Sequence, residues 1–336
     1  MPLRASSRLS RALPLLLCLP SRSMSASALP ALLTAPPPAI QALDCTWYLA
    51  RPEAARGYGE LSLREPCRPL DLNGLSPPGE ELPHTPPTFP ALSKALDDLG
   101  VGPADPLLLY SSSKGLSLYR SYYLLRHYFG HAGSISLLQT PVDALSSGTA
   151  SGLPAGVDYE ALAAAAAPAA SYPQPAAFRP AYPGGGWAPL VTLPYMSALV
   201  DRRVAGEEPV ADVVILDARP AGRFTGSVPE PRAGMRSGHI PTSRSLPFPA
   251  VAGGNCVALR PEAELREALE GKGCDLAPGS KQRFVLTCGS GVTACYLAVA
   301  LELCGVGSER IAVYDGSWSE WGGREDTPVE VGEESV

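Results

Sequence analysis

A chain of 336 residues is long enough for two ordinary domains, and an apolar content of 45% is enough to fill their cores. A net charge of −6 argues against nucleic acid as the main partner. The cysteines, Cys18, Cys45, Cys67, Cys256, Cys274, Cys288, Cys295 and Cys304, form no CxxC pair and no ligand cluster with the histidines. No metal, cofactor or disulfide framework is therefore expected, and free thiols in a reducing compartment fit better.

Residues 1–38 lack Asp and Glu but hold Arg4, Arg8, Arg11 and Arg22 among many serines. That is the composition of an organellar transit peptide, for the mitochondrion or, as the alternative, a plastid. The apolar run Leu13 to Leu19 is too short to span a bilayer, and no other segment is long and apolar enough. A soluble mature protein with no membrane partner is expected.

Residues 41–145 read as a first α/β unit. A strand begins near Leu43, and Trp47-Tyr48 is a packed aromatic pair. Ala91 to Leu99 is a helix with Leu92, Ala95, Leu96 and Leu99 on one face. Pro106 to Tyr110 is a buried strand, Ser111 to Gly115 a loop, and Leu116 to Phe129 the next helix. Residues 146–189, with an alanine run at 161–167 and repeated Pro and Gly, are a linker.

Residues 190–330 read as a second α/β unit. Met196 to Arg203 is a helix, and Val213 to Asp217 a buried strand ending in an acid. Ser245 to Phe248 is a short strand, and Pro261 to Leu269 a helix. Phe284 to Thr287 and Ile311 to Asp315 are further strands. Strands alternating with helices predict a mostly parallel sheet covered on both faces, with ligands at the strands' carboxyl ends.

Cys288 stands at such an end, followed by Gly289-Ser290-Gly291-Val292-Thr293 and a helix starting near Gly291. Two glycines let successive N–H groups curl inward into a nest for negative charge, and the helix adds its positive end. A cysteine held there favours the nucleophilic thiolate, and the same cradle would hold a persulfide anion. The plainer reading is a small buried cysteine between strand and helix. The glycine-flanked loop at a strand's carboxyl end favours chemistry. The first unit repeats the plan with Ser111 in the cysteine's place, so the halves look duplicated, with the nucleophile kept only in the second.

Between Asp217 and His239 run Arg219, Arg223, Arg232 and Arg236. Arginine forks suit a carboxylate; a solvated basic loop with surface ion pairs is the bland alternative.

CGSGVTAC at 288–295 resembles the active loop of the rhodanese superfamily of sulfurtransferases. Gly289-Ser290-Gly291 resembles the branch that uses 3-mercaptopyruvate, whereas thiosulfate-using members carry Arg and Lys at 289 and 290. The run from Asp217 through GRF, PEPR and GHIP, and the closing run Tyr314 to Trp321 with Asp326 to Val329, also match. The resemblance is dense over 213–330 and thin over 41–145. It implies two tandem domains, each a mostly parallel sheet flanked by helices. It implies Cys288 as nucleophile, Arg223 and Arg232 as the clamp on the donor's carboxylate and keto group, and Ser290 as the proton donor. The backbone of Gly289, Gly291, Val292 and Thr293 becomes the persulfide cradle, and thioredoxin or another thiol the acceptor. Asp217 and Arg219 read as a structural ion pair, His239 as a brace, and Tyr314 to Trp321 as a turn beside the active loop.

One departure stands out. Relatives supply an Asp and a His from the first domain to polarise the serine, and the matching stretch, Leu63 to Cys67 leading into Asp71 to Ser76, has no histidine. His84 is either a substitute relay or a polar loop residue. A phosphatase on a related fold is excluded because its C-x5-R arginine is Ala294 here. A thiosulfate sulfurtransferase and a non-catalytic persulfide carrier remain as alternatives.

Overall fold

The computed structural model describes residues 22–24, 40–47, 69–113, 115–146, 188–207 and 212–334. Tyr48, Leu63 to Cys67, the alanine run 161–167 and most of residues 1–38 lie outside the described residues, and so do the readings placed on them.

The first unit holds β1 (Arg22–Met24), β2 (Gln41–Asp44), β3 (Leu107–Tyr110) and β4 (Ile135–Leu138), in the order β1-β4-β3-β2 and parallel throughout. Its helices are α1 (Phe89–Asp98), α2 (Leu118–Tyr123) and α3 (Val142–Ser146). Thr88 caps α1 by accepting from the Ala91 N–H, and Leu92 and Leu96 are its buried stripe. The single helix expected over 116–129 is α2 running into a π-helical segment, Leu124–Tyr128. β1 falls inside the stretch read as a targeting segment, and it forms the edge of this sheet.

The second unit holds β5 (Leu190–Val191), β6 (Val213–Asp217), β7 (Ser243–Ser245), β8 (Arg283–Thr287) and β9 (Ile311–Tyr314), in the order β5-β9-β8-β6-β7, again all parallel. Its helices are α4 (Leu193–Val204), α5 (Ala221–Phe224), α6 (Glu262–Glu270), α7 (Ala294–Leu303) and α8 (Ser317–Trp321). The chain thus adopts the expected α/β architecture of parallel sheets flanked by helices. Some elements differ in detail. The strand expected at Ser245 to Phe248 is instead Ser243–Ser245 followed by a 3-10 turn at Phe248–Ala250, because Pro247 and Pro249 lack the N–H a ladder needs. The closing turn is the short helix α8.

The buried face of α7 runs all round the helix, from Ala294 to Leu301. A helix apolar on every side must be covered on every side. One side lies on the second sheet, and α2 of the first unit packs on another. Tyr119 of α2 meets the ring of Tyr296 on α7, and the Tyr122 hydroxyl donates to Glu302 at 2.9 Å. The helices that follow the two corresponding loops therefore face each other, which brings the start of α2 to the second loop.

In the second sheet β6 leads outward to β7, and β8 leads the other way to β9. The crevice at the carboxyl ends of β6 and β8 is thus a topological switch point, where open α/β sheets bind ligands.

Candidate active site

Cys288 follows β8 at this switch point and is 1% exposed. The loop after it is pinned from behind by α8. Ser317 Oγ accepts the N–H groups of Cys288 and Gly291, each at 3.1 Å, and donates to the Tyr314 carbonyl at 2.7 Å. Trp318 N–H donates to the Cys288 carbonyl, and Ser319 N–H and Oγ to the Gly289 carbonyl. Gly291 sits at φ +76°, and a Cβ there would stand 2.8 Å from the Asp315 carbonyl oxygen, so no larger residue fits. The helix expected from Gly291 therefore starts only at Ala294.

Among the described residues, none accepts the N–H groups of Gly289, Ser290, Val292 or Thr293. Gly291 departs from its expected place in the cradle, because its N–H is taken by Ser317; its part is the shape of the turn. The first unit's loop is filled by its own side chains. Ser112 N–H donates to Thr46 Oγ1 at 3.0 Å and Ser113 N–H to Asp143 at 2.7 Å, and Ser111 has the cysteine's position.

A cavity of about 480 Å³ opens over Cys288, and Gly289, Ser290, Val292, Thr293, Arg223, Arg232 and His84 all line it. The predicted site residues other than Gly291 therefore come together around one space. Arg223 and Arg232 are held differently. Arg223 is gripped by Glu230, whose side chain is 2% exposed, with Nε at 3.1 Å from both carboxylate oxygens and Nη2 also bonded. Its outer edge approaches the loop: a Cβ on Gly289 would be 3.2 Å from Nη2. Arg232 donates to Ser319 Oγ at 2.6 Å. Burial and the neighbouring Arg223 pull its pKa down, while Cys288 and Glu230 oppose them. Two guanidiniums close enough to repel make a place for an anion.

The remaining arginines of the stretch are tied into the fold, although Arg219 also lines the cavity. Arg219 is buried over Trp318 and bonds Asp217 at 2.7 Å, Glu230 at 2.9 Å and the Gly238 carbonyl at 2.8 Å. Arg236 ties α8 to the chain end through the Trp321 and Thr327 carbonyls. His239 stacks on Phe224 and contacts its carbonyl at 2.9 Å through Nδ1.

The first unit closes the cavity with Trp47, Pro83, His84 and Leu116. His84 Nδ1 lies 2.6 Å from Asn73 Oδ1, and its ring stands edge-on to Trp47 at 4.5 Å. Burial first, then Arg120 and Arg232, push its pKa down to about 4. The imidazole is neutral at pH 7. An amide oxygen only accepts, so Nδ1 carries the proton and Nε2 is left as an acceptor.

Four residues at the site went unnoticed in the sequence. Glu230 lies inside the PEPR motif, and its signal was a carboxylate two positions before the clamp arginine. Asn73 lay in the stretch matched to the relatives' first-domain histidine region and Ser317 in the turn read beside the active loop, but neither was given a role of its own. Arg120 was the clearest available signal, a lone cation in the apolar run Leu118 to Leu125. It is 3% exposed and pairs with Asp315, and it donates to the Gly291 carbonyl at 3.4 Å and the His84 carbonyl at 3.1 Å. Burial pushes the Asp315 carboxyl up, and the Arg120 guanidinium pulls it back towards ionisation.

Comparison with known proteins bears on this arrangement. A family model described as "Rhodanese-like domain" matches residues 200–324. The chain is 31% identical over 306 residues to an Arabidopsis thaliana protein named thiosulfate/3-mercaptopyruvate sulfurtransferase 1, mitochondrial, covering 89% of this chain and 76% of that protein. It is 30% identical over 267 residues to the 3-mercaptopyruvate sulfurtransferase of Escherichia coli strain K12, covering 78% and 80% of the two chains. Among solved structures, SseA of Escherichia coli, a 3-mercaptopyruvate sulfotransferase, superposes with a TM-score of 0.62 at 25% identity over 89% of this chain and 98% of that one. A sulfur transferase subunit of yeast mitochondrial complex I superposes with a TM-score of 0.68 at 28% identity over 94% and 100%.

Proposed function

Because the chain belongs to the rhodanese family of sulfurtransferases, we propose that it takes the sulfur of 3-mercaptopyruvate onto Cys288 as a persulfide and passes it to a thiol, releasing pyruvate. One observation carries the choice of donor: Arg223 and Arg232 share a cavity with Cys288, while the loop itself, Gly289-Ser290-Gly291, holds no cation. Paired guanidiniums suit a carboxylate and its neighbouring keto oxygen. A sulfonate donor would want positive charge on the loop.

The donor's carboxylate and keto group lie on Arg223 and Arg232, so its sulfur meets Cys288, which is catalysis by positioning. Glu230 keeps the Arg223 fork aimed and takes up part of its charge. The Cys288 thiolate attacks the donor sulfur; a new S–S bond forms, the C–S bond breaks, and its electron pair leaves on pyruvate enolate. Arg223 and Arg232 stabilise the developing negative charge, and Ser290 protonates the enolate. His84, neutral and fixed by Asn73, accepts through Nε2 the proton that the donor sulfur sheds as the persulfide anion forms and passes it to the Ser290 oxygen, in place of the relatives' first-domain histidine. The free N–H groups of Gly289, Ser290, Val292 and Thr293 hold the persulfide anion. The acid-free residues 1–38, with a relative named as mitochondrial, support import into the mitochondrion.

The test compares donors. Pyruvate release from 3-mercaptopyruvate is assayed beside thiocyanate formation from thiosulfate, with Cys288→Ser as control. A strong preference for mercaptopyruvate that Cys288→Ser abolishes is expected. Arg232→Ala should raise KM for mercaptopyruvate far more than for thiosulfate. Equal effects on both donors would sink the clamp, and turnover of thiosulfate alone would make the chain a thiosulfate sulfurtransferase. Weak turnover of both donors, with sulfur still found on Cys288, would make it a carrier.

A further inference from the structure

The cavity over Cys288 is larger than its proposed donor. At about 480 Å³ it falls in the range that encloses a drug-sized ligand, whereas a three-carbon keto acid fills a small part of it. The polar groups suited to that acid, Arg223, Arg232 and Ser290, all belong to the second unit. Much of the remaining wall is apolar: Trp47, Pro83 and Leu116 from the first unit, and Pro231, Phe248 and Val292 from the second. Trp47, Leu116 and Val292 pack as one cluster across the units, and Phe248 is braced by the Tyr296 ring at 5.3 Å.

Resting on the persulfide reading above, we propose that this wall is the acceptor subsite, and that its occupant is a small thiol with an apolar body. Two observations narrow the choice. Among the described residues no carboxylate lines the cavity, so the ammonium of an amino-acid thiol would find no partner there. Cys288 is 1% exposed at the cavity's base, so the acceptor sulfur must travel inward. A slender thiol does so without rearrangement, while a thiol on a protein surface must push a loop inside.

The transfer balances without an oxidant. The acceptor thiolate attacks the outer sulfur of the Cys288 persulfide and forms a new S–S bond. The bond to Cys288 Sγ breaks, and Cys288 leaves as the thiolate. The acceptor departs as a persulfide.

The experiment separates the half-reactions on the full-length protein. Mercaptopyruvate alone is added first, and a pyruvate burst with one sulfur on Cys288 by mass spectrometry tests the donor reading. If no sulfur appears, Cys288 is loaded with sodium tetrasulfide, and the acceptor test runs unchanged. The loaded protein is then mixed with phenylmethanethiol, 2-mercaptoethanol, cysteine or reduced thioredoxin, and loss of sulfur is followed. Phenylmethanethiol and 2-mercaptoethanol are alike in thiol acidity, so their ratio reports the wall. That ratio of kcat/KM should be about tenfold or more, the effect of burying one ring face. Leu116→Asn should shrink it severalfold. Should that variant fold poorly, phenylmethanol, which has no thiol to accept the sulfur, should inhibit sulfur transfer competitively with the acceptor. A ratio near one, thioredoxin outpacing every small thiol at equal concentration, or no inhibition by phenylmethanol would overturn the proposal.

Discussion

Ser317 Oγ pins the reactive loop at two points, since it takes the N–H groups at both ends of the Cys288–Gly291 turn. The residue is fully buried at φ +50°, so Ser317→Ala keeps the backbone strain and removes only the hydroxyl. Two buried donors then lose their acceptor, at a cost of about 2–4 kcal/mol. Urea denaturation should show that loss, and kcat should fall about tenfold or more as Gly291 releases its N–H to compete for the anion. Unchanged kcat with lowered stability would mean that Ser317 braces the fold and leaves the loop's chemistry alone. The residues that were legible beforehand, Cys288, Arg223 and Arg232, lie in short runs whose neighbours explain them. Ser317 and Arg120, which were not, are defined by partners far along the chain. Ser317 meets Cys288 across 29 positions and Arg120 meets Gly291 across 171, a separation that no local pattern encodes.

Among the elements, the buried strands β3, β6, β8 and β9 were readable because a parallel sheet covered on both faces needs continuous apolar runs. The start of α7 was misread by a few residues, because Gly291 takes a left-handed turn that an apolar pattern does not reveal. β1 was missed outright, since its composition is that of an import signal. β1 pairs with β4 through Arg22, Ser23 and Met24 and covers an edge of the first sheet. An uncovered edge is a template for association. A chain truncated to begin after residue 38 should therefore melt at least roughly 3 °C below one truncated after residue 20, and should aggregate more on concentration. Differential scanning fluorimetry with light scattering distinguishes them; coincident melting curves would show that β1 adds nothing to the folded state.

At the scale of the whole molecule, the seam between the units is where the proposed proton relay and the stability of the fold meet. His84 sits in that seam, with Arg120 and Arg232 as the charges acting on it. Its pKa falls from 6.5 to about 4 on folding. Between those values the unfolded chain binds the extra proton and the folded chain does not, so stability rises with pH across the window. The contribution is complete above about pH 6.5 and is lost as pH falls towards 4, by at most ~3 kcal/mol. Asp315, whose carboxyl burial raises, acts in the opposite sense and lies in the same seam. The difference between wild type and His84→Gln is therefore the quantity to measure, by urea denaturation at pH 7.5, 6.0 and 5.0. The wild-type advantage over the variant should shrink steadily down that series. Because a protonated imidazole cannot accept a proton, pyruvate release by the wild type should decline only near the folded pKa, well below pH 6.5. His84→Gln should lose activity at every pH while its KM for mercaptopyruvate stays put. A variant with full activity and the same pH profile would leave His84 as a wedge between the units and return the proton transfer to Ser290 and solvent.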